Sequence, residues 1–211
     1  MRKIEHNVHK RPHTLGFMTN FHYNPVKEPF LKSTEHEQGT VAELITVGRL
    51  SKEKGIDRLI RSCALLKIPF RFTITGDGDE RGQLQRLIEE LNLAGKVFLA
   101  GGSTEPFAQV SDPALFLMGS WYEGFPNAML EAFAAGIPVV AFNAPGGIAE
   151  LLLNNENGFL VENGNEKAFA EAIQKALTYR FNRQQIKDKT LDRFNINAIM
   201  NKWYDVFDAV K

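Results

Sequence analysis

Two glutamates, Glu123 and Glu131, flank the start of an expected helix in the segment YEGFPNAMLEAFAA, Tyr122 to Ala135. Pro126 stands where proline is best tolerated, in the first turn of a helix, so the helix is expected to begin at Phe125 or Pro126. Its unpaired N–H groups and aligned peptide dipoles place about half a positive charge at that end, which suits an anion such as a phosphate. Glu131 shares a face with Asn127 and would stand about 7 to 8 Å from the helix start at a rise of ~1.5 Å per residue. That spacing fits a ligand with a phosphate at the helix tip and hydroxyls farther along, with Glu123 facing its other end. As ordinary residues, Glu123 would be a loop acid complementing the dipole and Glu131 a solvated helix residue. Met129, Leu130, Phe133, Ala134 and Ala135 argue against this by making the rest of the helix apolar, because a carboxylate on a mostly buried helix needs a partner.

A second cluster has the opposite charge. In Val47-Gly48-Arg49-Leu50-Ser51-Lys52-Glu53-Lys54-Gly55, Arg49 directly follows an expected strand and Lys54 precedes an expected helix, with Gly48 and Gly55 allowing close backbone approach. Such a pair suits a diphosphate, since a guanidinium forks across two phosphate oxygens while an ammonium acts as a mobile point charge. The loop lacks the spacing of a nucleotide P-loop, which disfavours ATPase chemistry. A third loop, Gly76-Asp77-Gly78-Asp79-Glu80-Arg81-Gly82, fails as a dinucleotide fingerprint because its third glycine is a residue late and no acid ends the next strand. Asp77 and Asp79 could hold a divalent ion; the simpler reading makes Asp79 a helix N-cap and Asp77 a turn residue, and with Arg49 and Lys54 present a metal is not needed.

These loops must be positioned by a scaffold. From Val41 onward short β-rich runs alternate with amphipathic helical ones, the pattern of an α/β, Rossmann-like parallel sheet with helices on both faces. Strands are expected at Ala42 to Val47, Phe70 to Thr75, Val97 to Ala100, Ala114 to Met118, Val139 to Phe142 and Gly158 to Val161. Helices are expected at Ile56 to Lys67, Glu80 to Leu91, Pro106 to Val110, Pro126 to Ala135, Gly147 to Leu153 and Glu166 to Thr178. Right-handed crossovers gather every strand-to-helix loop along one sheet edge, where the ligand crevice of such folds lies. Arg49, Lys54, Gly76, Gly101, Glu123 and Pro145 all fall there.

At 211 residues the chain suffices for one full domain with appendages. Lys+Arg and Asp+Glu both number 25, so there is no basic excess to indicate nucleic acid or an anionic membrane. No apolar run nears the ~20 residues that span a bilayer, and the start, MRKIEHNVHKRPHT, has no signal-peptide core. The lone Cys63 excludes an intrachain disulfide and fits packing inside a helix in a cytoplasmic, reducing setting. His6, His9 and His13 could share a helical face, but Pro12 interrupts it and no acid or cysteine completes a metal set. At the other end, Ile199, Trp203, Val206, Phe207 and Val210 form an apolar stripe, with Met200 and Tyr204 beside it, that wants something to cover it.

The phrases VGRLSKEKG, TGDGDERGQL, KVFLAGG, EGFPNAMLEAFAAGIPVVAF and NAPGGIAELL, in that order, resemble the C-terminal, donor-binding half of the retaining glycosyltransferases of family 4, which have the GT-B fold. The spacing of Glu123 and Glu131 is the most specific part, and Met118-Gly119-Ser120 stands where a proline often precedes the serine. The resemblance implies transfer of a hexosyl group from a nucleoside-diphosphate sugar, UDP- or GDP-linked, to an acceptor hydroxyl with retention and without a metal or other cofactor. It implies that Arg49 and Lys54 neutralise the diphosphate, that Glu131 accepts from the ribose hydroxyls and that Glu123 contacts the donor sugar. Gly124 and Phe125 would offer N–H groups to the sugar and diphosphate, with Gly48 and Asn127 beside them and Gly101 near the base.

On this reading residues 1–39 are an arm ending in an interdomain-linker remnant at Tyr23-Asn24-Pro25-Val26. Residues 40–194 are the nucleotide-sugar-binding domain, and 195–211 are a C-terminal amphipathic helix. The family's acceptor-binding domain is not recognisable in the chain, so a further domain or partner chain is expected against that helix, and the acceptor is not defined. The alternative is a nucleotide-sugar-binding or interaction module without turnover.

Overall fold

The computed structural model describes residues 24–31 and 41–209. Six parallel strands form one sheet: β1 (Ala42–Val47), β2 (Phe70–Thr75), β3 (Val97–Gly101), β4 (Leu115–Met118), β5 (Val139–Phe142) and β6 (Gly158–Val161), in the order β3-β2-β1-β4-β5-β6. The two-residue period of a strand sends its side chains to alternate faces, and both faces are apolar here. Leu44, Leu115, Leu117, Val140 and Phe142 enter one core cluster. Ile45, Phe116, Met118, Val139 and Ala141 enter the other. Strands buried on both sides need helices over both faces.

The first core is covered by α1 (Ile56–Ala64), α2 (Arg81–Glu90) and α5 (Glu166–Thr178), through residues such as Leu59, Leu84 and Phe169. The second lies under α3 (Asn127–Ala134), the short α4 (Ile148–Leu151) and α6 (Arg183–Phe194), through Phe133, Ile148, Ile186 and Phe194. Cys63 is fully buried in α1, the packing role expected of it, and burial pushes its thiol far above the ordinary range. No described helix is long and apolar enough to cross a membrane.

Several boundaries differ from expectation. The helix expected at Pro106 to Val110 is a single 3-10 turn, Pro106–Gln109. α1 stops at Ala64, although Leu65 and Leu66 extend its apolar content. Asp79 does not cap α2; Glu80 occupies the position without a side-chain bond, while Asp77 is the turn residue expected, accepting from the Gly78 N–H at 3.0 Å. α6 had no counterpart in the sequence reading. Most of it is polar; Ile186, Thr190 and Phe194, which repeat every four residues, are buried, Leu191 is partly buried beside them, and the Asn182 side chain caps it by accepting from the Gln185 N–H.

Residues 24–31 lie against α6: the Val26 N–H donates to the Phe194 carbonyl at 2.8 Å, and Lys187 pairs with Glu28 at 2.6 Å. α7 (Ile196–Ala209) follows α6. Its Ile199 is buried in the second core, while Met200, Trp203 and Tyr204 are exposed. The side chains of Val206 and Phe207, the residue Val210, and the early histidines lie outside what is described.

Candidate functional site

The strand order reverses between β1 and β4, which makes the gap beyond their carboxyl ends the topological switch point, where ligands of such sheets bind. A cleft of about 260 Å³ opens there. Thr46, Val47 and Gly48 line it from the end of β1, Met118, Gly119 and Ser120 from the end of β4, and Phe125 to Ala128 with Glu131 from the start of α3.

Lys54 reaches the cleft because the chain after β1 turns tightly. Lys52–Lys54 form a 3-10 turn closed by Gly55 in the left-handed conformation, φ 54°. A Cβ on Gly55 would lie 2.0 Å from the Gly119 carbonyl oxygen, so only glycine lets the β1 and β4 loops touch. Across this contact the Lys54 ammonium donates to Glu123 Oε1 at 2.7 Å. The Ser120 hydroxyl donates to the same oxygen at 2.6 Å. The Glu123 side chain is only 8% exposed, so a buried carboxylate is matched by a cation and a hydroxyl.

The Glu123 backbone is held as firmly. Its N–H donates to the Pro145 carbonyl at 3.2 Å and its carbonyl accepts from the Gly147 N–H at 3.0 Å. Between them Gly146, at φ 109°, approaches so closely that a Cβ would lie 1.7 Å from the Glu123 carbonyl oxygen. From the opposite side comes Arg58, a residue of α1 that is only 2% exposed. Its guanidinium donates through Nε and Nη2 to the consecutive carbonyls of Gly119 and Ser120, and through Nη1 to Asn163 Oδ1 at 2.7 Å. The Trp121 and Phe142 rings stack on it, 3.9 and 4.1 Å from Cζ. Burial lowers this guanidinium to about 10, against smaller upward effects of Asp57 and Glu166.

α3 begins at Asn127, with Pro126 at its N-cap rather than in its first turn. Glu131 is therefore about 6 Å along the axis from the first helical residue, at ~1.5 Å per residue, slightly nearer than expected. It is half-buried, and among the described residues no cation or hydrogen-bond donor pairs with its side chain. Burial, with no opposing charge, raises its carboxyl above the ordinary value. Asn127, one turn before it, accepts from Asn24 Nδ2 at 2.8 Å, which brings the 24–31 segment to the cleft's edge.

Of the residues expected at the site, Gly48, Lys54, Glu123, Phe125, Asn127 and Glu131 line this cleft, and Arg49, Gly101 and Gly124 do not. Arg49 is exposed on the β1 loop. There it adds, with Lys54, to the lowering of the Glu53 carboxyl that begins with hydrogen bonds from the Glu53 backbone and Ser51. Gly101 ends β3, two strands away, where its carbonyl accepts from the Gly76 N–H at 2.8 Å. Gly124 is exposed beside Glu123. Sequence reasoning missed Arg58 and Ser120. A faint signal existed for Arg58: it and Ser62, four residues apart, sit beside Leu59 and Cys63 on the apolar arc of α1. Among the described residues no three His, Cys, Asp or Glu side chains converge as a metal site would require.

This arrangement defines a Rossmann-like α/β domain with a cleft at its switch point lined by one cation and two carboxylates. The sequence model described as "Glycosyl transferases group 1" matches residues 28–193, and the chain belongs to that family. Over 150 residues it is 35% identical to the N-acetylgalactosamine-N,N'-diacetylbacillosaminyl-diphospho-undecaprenol 4-alpha-N-acetylgalactosaminyltransferase of Campylobacter jejuni, a match covering 71% of this chain and 41% of that one. The poly(ribitol-phosphate) alpha-N-acetylglucosaminyltransferase of Staphylococcus aureus is 30% identical over 171 residues, covering 77% of this chain and 34% of that one. The match thus spans well under half the length of either relative.

Among solved structures, the apo lipopolysaccharide outer core galactosyltransferase WaaB shares the fold at a TM-score of 0.81, with 23% identity over 90% of this chain and 55% of that one. A mutant of S. aureus TarM, in complex with fondaparinux, alpha-GlcNAc-glycerol and UDP, gives a TM-score of 0.75 at 29% identity over 86% of this chain and 38% of that one. HepE of Anabaena in complex with UDP gives 0.71 at 25% identity, over 81% and 49%.

Proposed function

We propose that the chain is the donor-binding half of a retaining glycosyltransferase that passes a hexosyl group from a UDP- or GDP-linked donor to an acceptor hydroxyl. The observation that carries this is Glu131, a half-buried carboxylate without a partner among the described residues, facing the same cleft as the Lys54 ammonium. Desolvating a carboxylate without compensation costs stability, and a ribose diol offers the hydrogen bonds that would repay it. The UDP bound in the TarM and HepE structures supports a nucleotide of that kind.

Lys54 holds Glu123 with one of its three N–H donors and can offer the others to a diphosphate. As the glycosidic bond breaks, negative charge grows on the leaving diphosphate. Lys54, the N-terminal N–H groups of α3 and Arg49, swung in from the loop, stabilise it without a metal. Glu123 Oε1 already accepts from Lys54 and Ser120, so Oε2 takes a hydroxyl of the donor sugar. The cleft, at about 260 Å³, is small beside the roughly 300–1,000 Å³ of a typical ligand pocket. A second wall, an acceptor-binding domain or partner chain, completes it. The lone buried thiol of Cys63 is in keeping with a cytoplasmic setting.

The small cleft also favours a second reading, in which the isolated chain binds a nucleotide sugar but does not turn it over. Calorimetry with UDP, GDP and ADP tests the binding common to both. Glu131→Ala should cost the preferred nucleotide about 1.5–3 kcal/mol, or roughly ten- to a hundredfold in affinity. Unchanged affinity would overturn the assignment. Hydrolysis or transfer of the donor by the isolated chain would exclude the second reading.

A further inference from the structure

The turn that carries Glu123 into the cleft is not a strand continuation. Past Met118 the carbonyls of two consecutive residues, Gly119 and Ser120, point toward the same guanidinium. In an extended strand successive carbonyls alternate in direction, and two that converge repel each other unless a cation lies between them. Arg58 is that cation. It is planar, carries donors on three nitrogens, and uses all three, with Asn163 as its third acceptor. No carboxylate forms a salt bridge with it among the described residues, so its hydrogen bonds go to the loops rather than to an ion-pair partner. Ser120 is then fastened twice: its backbone to Arg58 and its hydroxyl to Glu123 Oε1 at 2.6 Å.

We infer that Arg58 is a positioning residue, which fixes the Gly119–Ser120 turn and, through the Ser120 hydroxyl, sets where the Glu123 carboxylate stands in the cleft. It does not line the cleft itself. Its functional consequence rests on the reading of the cleft as a nucleotide-sugar site: Arg58 should control recognition of the donor's sugar while leaving the nucleotide alone. A lysine keeps the charge but concentrates it on one nitrogen, which cannot fork across both carbonyls and also reach Asn163. An alanine at Ser120 removes only the last link.

The test uses the full chain with Arg58→Lys, Ser120→Ala and the double variant. In ligand-free protein, amide hydrogen exchange over residues 121–125 should rise about tenfold or more in Arg58→Lys, with α2 unchanged. Affinity for UDP or GDP should stay within about twofold, while the added affinity contributed by the sugar of UDP-glucose or GDP-mannose, whichever nucleotide binds, falls about tenfold. The loss should match in Ser120→Ala and deepen by less than about twofold in the double variant, as for two residues on one path. Unchanged exchange at 121–125, or a rise spread evenly over the chain, would overturn the inference, as would equal weakening of nucleotide and nucleotide sugar. If the unsubstituted protein binds neither UDP nor GDP, the reading of the cleft fails, and exchange alone decides the role of Arg58. If Arg58→Lys does not fold, Ser120→Ala decides by the same affinity comparison.

Discussion

Glu123 and Glu131 face one cleft from two regions built on opposite principles. The Glu123 loop is over-determined: its carboxylate is buried and doubly bonded, its backbone is tied to Pro145 and Gly147, and Arg58 grips the turn before it. The Glu131 region is an ordinary helix face bearing a half-buried acid that the described fold leaves unpaired. The first acid belongs to the scaffold, so its removal should cost stability as well as binding. The second is a burden on the fold, of the kind retained where a site gives up stability for function.

The sharpest way to break this contrast is to disrupt what confines Glu123. Gly146→Ala adds a Cβ 1.7 Å from the Glu123 carbonyl oxygen at a left-handed φ, where backbone must shift on both sides. The expected loss exceeds about 3 kcal/mol, or roughly 6–12 °C in Tm for a chain of this size. Gly124→Ala is the matched control, since an added Cβ there meets nothing within 4 Å; it should stay within about 0.5 kcal/mol. A Tm for Gly146→Ala close to that of the control would mean the loop is not fixed at Gly146. Next in size is Lys54→Met, which leaves the Glu123 carboxylate with Ser120 alone. Because the Lys54 side chain is 34% exposed, the cost should be about 2 kcal/mol, less than the 3–5 of a fully buried pair. Denaturant unfolding should show much of it restored in Lys54→Met/Glu123→Gln; strictly additive losses would mean the two groups do not interact.

The same contrast marks what the sequence could reveal. β1, β2, β5 and β6 end at the residues expected because each is rich in apolar and β-branched residues and bounded by turn-formers. α6 escaped notice because only Ile186, Thr190 and Phe194 of its twelve residues are buried, too sparse a stripe to rise above its charges. In the cleft, Lys54, Asn127, Glu123 and Glu131 were legible because charge type and spacing around a helix start are local properties. Arg49 was legible as a loop cation, but the direction of an exposed side chain is not encoded in its neighbours. Arg58 left only the faint mark of a cation on the apolar arc of α1, and Ser120 was not legible as a site residue. Arg58 binds the backbone of a loop that meets α1 only once the sheet has formed, and carbonyl direction leaves no mark in residue type; Ser120 binds the Glu123 side chain, a contact set by the path of that same loop.

The smallest expected effect is the most discriminating, because its sign differs between the two acids. Burial raises the Glu131 carboxyl above its ordinary value, and no opposing charge offsets this. A carboxyl whose folded pKa exceeds its unfolded one binds more protons in the fold. Its contribution is therefore fully favourable below the unfolded value of 4.5 and is lost as pH rises through the raised folded value. At neutral pH the ionised group is a net cost. Glu131→Gln removes that cost, so Tm at pH 7 should rise by about 1–2 °C. The gain should vanish below about pH 4.5, where the unsubstituted side chain is itself neutral. Donor affinity should fall in the same variant, so stability and binding move in opposite directions at Glu131, whereas Lys54→Met lowers both. A fall in Tm for Glu131→Gln at pH 7 would show that the fold itself supplies the carboxylate with a partner, and the distinction between the two glutamates would collapse.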